Sequence, residues 1–203
     1  MIDTKATHKL SYGLFVLTTR EGEKDSGCII NTAQQISSDP LTISVTVNKQ
    51  NYTHDMILCS GKFCVSVIDE SADFELFKRF GFQSGRTADK FSGMEIPRTE
   101  NGLPYVSQSC NAYFSCTVTQ TVDCGTHTLF IARVTEAKVL SDRPSATYAY
   151  YFANIKPAPA ARETKKTGWI CKICGYVYEG EELPADYICP LCKHGPEDFE
   201  RLA

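Results

Sequence analysis

Four cysteines near the C-terminus, Cys171, Cys174, Cys189 and Cys192, have the residue type and spacing for metal chemistry. Two residues lie within each pair and fourteen lie between the pairs. Two C-x-x-C knuckles of this kind converge to offer one ion four thiolates in a tetrahedron. Gly175 suits the tight turn that follows the first knuckle. A tail of 36 residues (168–203) holds too little core to fold without a staple, so ligation is expected over four idle thiols. Spacing alone leaves both iron and zinc open. Four thiolates leave no open coordination position, so an iron there passes one electron at a time and needs both a donor and an acceptor.

The elements upstream must supply one of these. Runs rich in Val, Ile, Thr and Phe at 10–19, 41–47, 62–68, 112–119 and 128–140 predict β-strands, several with alternating character. Apolar residues at helical spacing (Tyr52, Met56 and Leu58, then Phe74, Phe77 and Phe80) predict short helices at 51–60 and 71–80. Many strands with few helices predict a mainly β chain, a closed or partly closed barrel with a small C-terminal domain. The stretch NIKPAPAARETKKTG has two prolines, several charges and no apolar period, which is linker composition. The expected division is therefore a barrel over 1–153, a linker over 154–167 and a metal-binding domain over 168–203.

Composition narrows the function classes. The chain has 203 residues, 42% hydrophobic, with a net charge of -3 and no long basic run, so a nucleic-acid partner is not expected. The charge is uneven: the tail sums to -4 and the remainder to +1, as suits either a docking face for a basic partner or simple solubility. The opening MIDTKATHKL has no apolar signal core, and no apolar run is long enough for a bilayer, so a cytoplasmic chain without a membrane partner is expected. Ten cysteines then argue for metal ligation or buried thiols. The default for Cys28, Cys59, Cys64, Cys110, Cys116 and Cys124 is the inert thiol.

The segment WICKICGYVYEGEELPADYICPLCKHGPEDFE resembles a rubredoxin. It has the C-x-x-C-G-Y knuckle, Leu183-Pro184-Ala185-Asp186 before the second pair, and a C-P-x-C knuckle. Trp169, Tyr176, Tyr187 and Phe199 stand where rubredoxins keep their aromatic core. The stretch between the knuckles is shorter than in free-standing rubredoxins and resembles the truncated modules fused to other redox domains. The resemblance implies iron as the bound ion.

Upstream, the chain shows Asn31-Thr32-Ala33, Ser37 and Pro40, a strand ending in Asn48-Lys49, Tyr52-Thr53-His54 entering a helix, and later FGFQSGRTADKF. This pattern resembles the flavin reductase-like family, a split β-barrel that binds FMN, or FAD in some members. The resemblance implies that Asn31, Thr32, Ala33 and Ser37 line the isoalloxazine and ribityl chain. It implies that Asn48, Lys49, Tyr52, Thr53 and His54 hold the phosphate. A lysine, a hydroxyl and helix N-terminal amides suit that anion. Gln35 and the single proline after Asp39 depart from the commoner serine and paired prolines. Gly125-Thr126-His127 resembles a Gly-Asp-His segment whose histidine faces the nicotinamide or reducible substrate, which makes His127 the catalytic candidate.

The two parts together resemble the high-molecular-weight rubredoxins of anaerobes. That implies hydride transfer from NAD(P)H to FMN, then single electrons through iron to an acceptor protein, a flavodiiron reductase of nitric oxide or dioxygen. It also implies a homodimer. The alternative is an NAD(P)H:flavin or ferric reductase whose rubredoxin or zinc-ribbon tail is an accessory.

Overall fold

The computed structural model describes residues 3–157, 168–173, 175–190 and 194–202. The chain forms two compact units, Met1–Lys156 and Pro157–Ala203. Most of the predicted linker lies outside the described residues, as do Cys174 and Cys192.

The first unit is built on a seven-stranded antiparallel sheet, β1 (Phe15–Glu21), β2 (Lys24–Ile30), β3 (Gln34–Ser38), β4 (Leu41–Asn48), β5 (Lys62–Ile68), β6 (Cys110–Asp123) and β7 (His127–Val139), in the order β2-β1-β5-β6-β7-β4-β3. The sheet curls on itself. Leu17 and Cys28 from one end of this order share a core with Val45 and Phe130 from the other, together with Phe63 and Val65. Helix α1 (Tyr52–Ser60) contributes Ile57 to that interior. Side chains alternate across a strand, so Val16, next to Leu17, faces the opposite side. There it meets Ile68 together with Phe77 and Phe80 of helix α2 (Phe74–Gly81). Because β1 is covered on both faces, its sequence lacks the polar–apolar alternation of a half-exposed strand.

Two strands of this sheet are not expected from the sequence. β2 reads KDSGCII and begins polar, yet it pairs with β1 along its full length. Its Asp25 is held by both Arg20 and Arg98, at 3.1 and 2.6 Å. β3 reads QQISS and is an edge strand that only β4 holds in register. The predicted strand at 10–19 begins only at Phe15. Residues ahead of it bridge elsewhere, with Gly13 opposite Thr147 and the Leu14 carbonyl accepting from the Ile68 amide.

Residues 82–106 carry no helix or strand but are tied down. Arg79 donates to the carbonyls of Lys90 and Ser92. The Lys90 ammonium is buried and donates to the carbonyls of Gly27 and Phe80 at 2.8 and 2.9 Å, and that burial lowers its pKa. The segment is thereby pinned to β2 and α2, which fixes where Arg86 sits.

The second unit is a three-stranded antiparallel sheet, β8 (Gly168–Cys171), β9 (Val177–Tyr178) and β10 (Phe199–Leu202), in the order β10-β8-β9. Its small core gathers Cys171, Cys189 and Phe199, with Trp169, Ile173, Tyr176, Tyr178, Leu183 and Tyr187 packed around them.

Candidate functional site

In the second unit, β8 ends at Cys171 and the chain turns at once. The Gly175 amide donates to the Cys171 carbonyl, and the Cys171 amide to the Tyr176 carbonyl, both at 2.8 Å. Gly175 has φ 77°, a left-handed conformation that a side chain resists. The second knuckle is closed by the Cys189 amide donating to the His194 carbonyl at 2.9 Å. Cys171 and Cys189 are both buried and belong to one cluster. The two thiols thus come from two tight turns into one buried cluster, and a soft ion is the partner that thiolates of two knuckles accept. These residues fit a tetrathiolate metal. Cys174 and Cys192, the other expected ligands, lie outside the described residues.

In the first unit the expected flavin residues converge on one end of the barrel. β4 ends at Asn48, which lies opposite His127 at the start of β7. The Lys49 amide donates to the Thr126 carbonyl at 3.0 Å. The chain then turns, with the Asn51 amide donating to the Asn48 carbonyl, and enters α1 at Tyr52. Asn51 makes no side-chain cap, so the Tyr52 and Thr53 amides have no intrahelical acceptor. Thr32 is clamped to the same strand: its hydroxyl donates to the Thr46 carbonyl at 2.7 Å and accepts from the Thr46 amide at 3.2 Å. That brings Asn31 and Ala33 alongside the end of β4. Ser37 stands apart, opposite Thr42. Four residues of strand, about 13 Å, separate that level from Thr46.

The polar side chains of α1 are largely engaged. The Thr53 hydroxyl is buried against the Ser26 hydroxyl at 2.9 Å. His54 points into the barrel, edge-on to Phe130, with Nε2 2.8 Å from the Thr128 hydroxyl and Nδ1 3.0 Å from Asp55. His54 and then Arg86 hold the Asp55 carboxyl below its ordinary pKa. The Tyr52 ring carries two cations, Lys24 at 4.5 Å and Arg86 at 5.0 Å from its centroid. Gly85 lies so close that a Cβ there would come within 3.0 Å of the Ser26 hydroxyl. Uncapped amides beside lysine and arginine fit a phosphate. Ser26, Lys24 and Arg86 were not singled out in the sequence. Arg86 lies within the FGFQSGRTADKF segment of the resemblance, but its meeting with Tyr52, 34 residues earlier, and the roles of Ser26 and Lys24 come only from the tertiary fold.

His127 follows the two-residue turn Gly125-Thr126, where Gly125 has φ 76°. Its Nδ1 lies 2.8 Å from the Thr126 hydroxyl, and partial burial lowers its pKa, which favours the uncharged ring. Of the remaining thiols, burial pushes Cys28 up to about 11, and Cys110 and Cys116 up to about 12. These stay protonated, which argues against nucleophilic or redox work for Cys28. An apolar cavity of about 120 Å³ opens between Phe15, Ala33, Leu41, Ile43, Val65 and Phe114. It adjoins the Asn31–Ala33 segment.

Comparison with known proteins agrees with both halves. Residues 7–159 match the family described as "Flavin reductase like domain", and residues 169–200 match "Rubrerythrin, rubredoxin-like domain". The chain is 40% identical over 229 residues to the high molecular weight rubredoxin of Moorella thermoacetica, covering 99% of this chain and 100% of that one. It is 39% identical over 150 residues to a ferric-chelate reductase (NAD(P)H) of Archaeoglobus fulgidus, covering 74% of this chain and 89% of that one. The barrel superposes on an FMN-binding protein from Thermus thermophilus with a TM-score of 0.63 at 24% identity, covering 70% of this chain and 83% of that one. From barrel to knuckles, the chain belongs to the high-molecular-weight rubredoxin family, a flavin reductase-like split barrel followed by a rubredoxin-like domain.

Proposed function

We propose that this chain is a cytoplasmic NAD(P)H-dependent FMN oxidoreductase that delivers electrons through its iron centre to an acceptor protein, a flavodiiron reductase of nitric oxide or dioxygen. The cofactors are FMN in the barrel and one iron in the C-terminal domain. The observation that carries the reading is the pairing, in one chain, of a flavin reductase-like domain with a rubredoxin-like domain whose four cysteines leave a bound metal no open coordination position. Bound FMN supplies the step from hydride to single electrons, and a tetrathiolate iron changes charge by one. Among the described residues, no helix is long and apolar enough to cross a membrane.

The chain's own residues bind, orient and shield. The first turn of α1 and Lys49 take the phosphate, and Arg86 and Lys24 add positive potential around Tyr52. Asn31, Thr32, Ala33 and Asn48 line the ring and ribityl chain, with Thr32 fixed by Thr46. Ser37, set apart from the others, would reach the flavin only at the far edge of its ring. Thr53 and His54 act from within: their side chains lock α1 to Ser26 and Thr128, so that its amides stay aimed. His127 would face the nicotinamide. It orients through the ring nitrogen not engaged by Thr126.

A homodimer completes the reading. Thr46 and Asn48 share one half-buried face of β4 and stand opposite Leu129 and His127 of β7, all pointing away from the core. Val122 of β6, paired with Leu129, extends this face and is 45% exposed. Helices α1 and α2 pack against β1 and β2 instead. A second copy covers this face and the flavin residues on it.

A second reading has the support of the Archaeoglobus relative, which aligns with 74% of this chain and is named for ferric chelates. In it, electrons leave from the flavin and the tail is an accessory. The flavin placement itself is tested by Lys49→Ala. Removing one charge-assisted contact is expected to weaken FMN binding by about 1.5 kcal/mol, roughly tenfold, in a fluorescence titration of flavin-stripped protein. Iron content should not change. Unaltered FMN affinity would mean that the phosphate lies elsewhere.

A further inference from the structure

Lys49 is not waiting in solvent. Its ammonium lies 2.8 and 2.9 Å from the two carboxylate oxygens of Asp123, at the end of β6. The same carboxylate accepts from the Gly125 amide at 2.8 Å, so it is anchored in the turn that precedes His127. Lys49 first, together with the turn amide, holds the Asp123 carboxyl below its ordinary pKa, and Asp123 is charged at neutral pH. The pair is open to water, with the Lys49 and Asp123 side chains 38% and 74% exposed. Lys49 stands three residues ahead of α1, and its backbone is already fixed to Thr126.

We propose that Asp123 is a built-in competitor for the flavin phosphate. It holds the Lys49 ammonium in the flavin-free chain and yields it when a phosphate docks at α1. The proposal rests on the placement of the phosphate above and adds the residue that tunes its affinity. Exchange is feasible on simple grounds. An exposed ion pair contributes little, whereas a phosphate of charge about -2 beside uncapped amides attracts the same lysine more strongly. Asp123 keeps the Gly125 amide after the lysine leaves, so no buried group is stranded. Its residual negative charge still opposes the phosphate. Both effects act on the phosphate alone, so Asp123 lowers selectivity for FMN over riboflavin and couples cofactor occupancy to the hairpin that carries His127.

The test is Asp123→Asn in the full-length, iron-loaded chain after flavin removal. Asparagine keeps the acceptor for the Gly125 amide while losing the charge. FMN and riboflavin affinities are measured by quenching of flavin fluorescence, in the wild-type, Asp123→Asn, Lys49→Ala and double-variant backgrounds. The expected result is FMN binding tighter by about three- to tenfold, riboflavin unchanged, and a much smaller gain when Lys49 is absent. Equal changes for FMN and riboflavin, or weaker FMN binding, would overturn the proposal by making Asp123 a structural residue or a positioning one. If Lys49→Ala weakens FMN but Asp123→Asn does not tighten it, the competitor role alone fails. If Lys49→Ala has no effect, the phosphate placement fails with it.

Discussion

Replacing Cys189 by alanine is expected to empty the C-terminal domain of metal and unfold it, while the barrel keeps its flavin and its thermal transition. Cys189 is fully buried in the cluster formed by Cys171 and Phe199. The domain has only 36 residues (168–203), below the size at which a hydrophobic core usually suffices alone. Metal binding in such modules is folding free energy, apparent values for structural zinc being about 10–16 kcal/mol. Loss of one thiolate is therefore far larger than an ordinary core truncation of about 2–5 kcal/mol. Metal analysis, the thiolate-to-iron absorption and limited proteolysis of the C-terminal domain would all report it. A variant that still binds one iron per chain with a protease-resistant tail would remove Cys189 from the ligand set. Because the units are separately compact, the barrel's flavin absorption serves as the internal control.

Cutting the chain between Lys156 and Gly168 is expected to lower electron delivery to the natural acceptor by about a thousandfold at micromolar protein. A short tether holds one centre near the other at a roughly millimolar effective concentration, and cleavage replaces that with the concentration in solution. NAD(P)H oxidation with an artificial acceptor should survive, since the hydride chemistry belongs to the barrel. Adding back the separate C-terminal domain at low micromolar concentration should restore little, and millimolar amounts should restore most. Should the cut barrel feed the acceptor as well as the intact chain does, the tail is an accessory and the ferric-reductase reading prevails.

The turns at Cys171 and Cys189 were legible because their information is local: C-x-x-C spacing and a following glycine specify a knuckle whatever the rest of the chain does. β4 and β5 were legible for a related reason, since LTISVTV and KFCVSVI are dense in β-branched residues. β2 and β3 were not, because their stability comes from partners. KDSGCII is held by β1 and by two arginines on Asp25, and QQISS is held by β4. The flavin end was legible as a set of segments through family resemblance, but not as an arrangement. Thr53 reads as a phosphate hydroxyl in sequence, and in the fold that hydroxyl faces Ser26. Lys49 reads as an available cation, and in the fold Asp123, 74 residues away, already holds it. Charges that meet across the barrel leave no periodic trace, so the electrostatics of the site emerge only from the topology that joins β4, α1 and the β6–β7 turn.

The most direct test of electron order is a stopped-flow record of the intact chain mixed anaerobically with NADH or NADPH, following flavin and ferric-thiolate absorption together, beside the same protein stripped of flavin. Flavin bleaching is expected to precede or match iron bleaching, and the iron of the flavin-free protein to stay oxidised. Full-rate reduction of iron in the flavin-free protein would contradict that order.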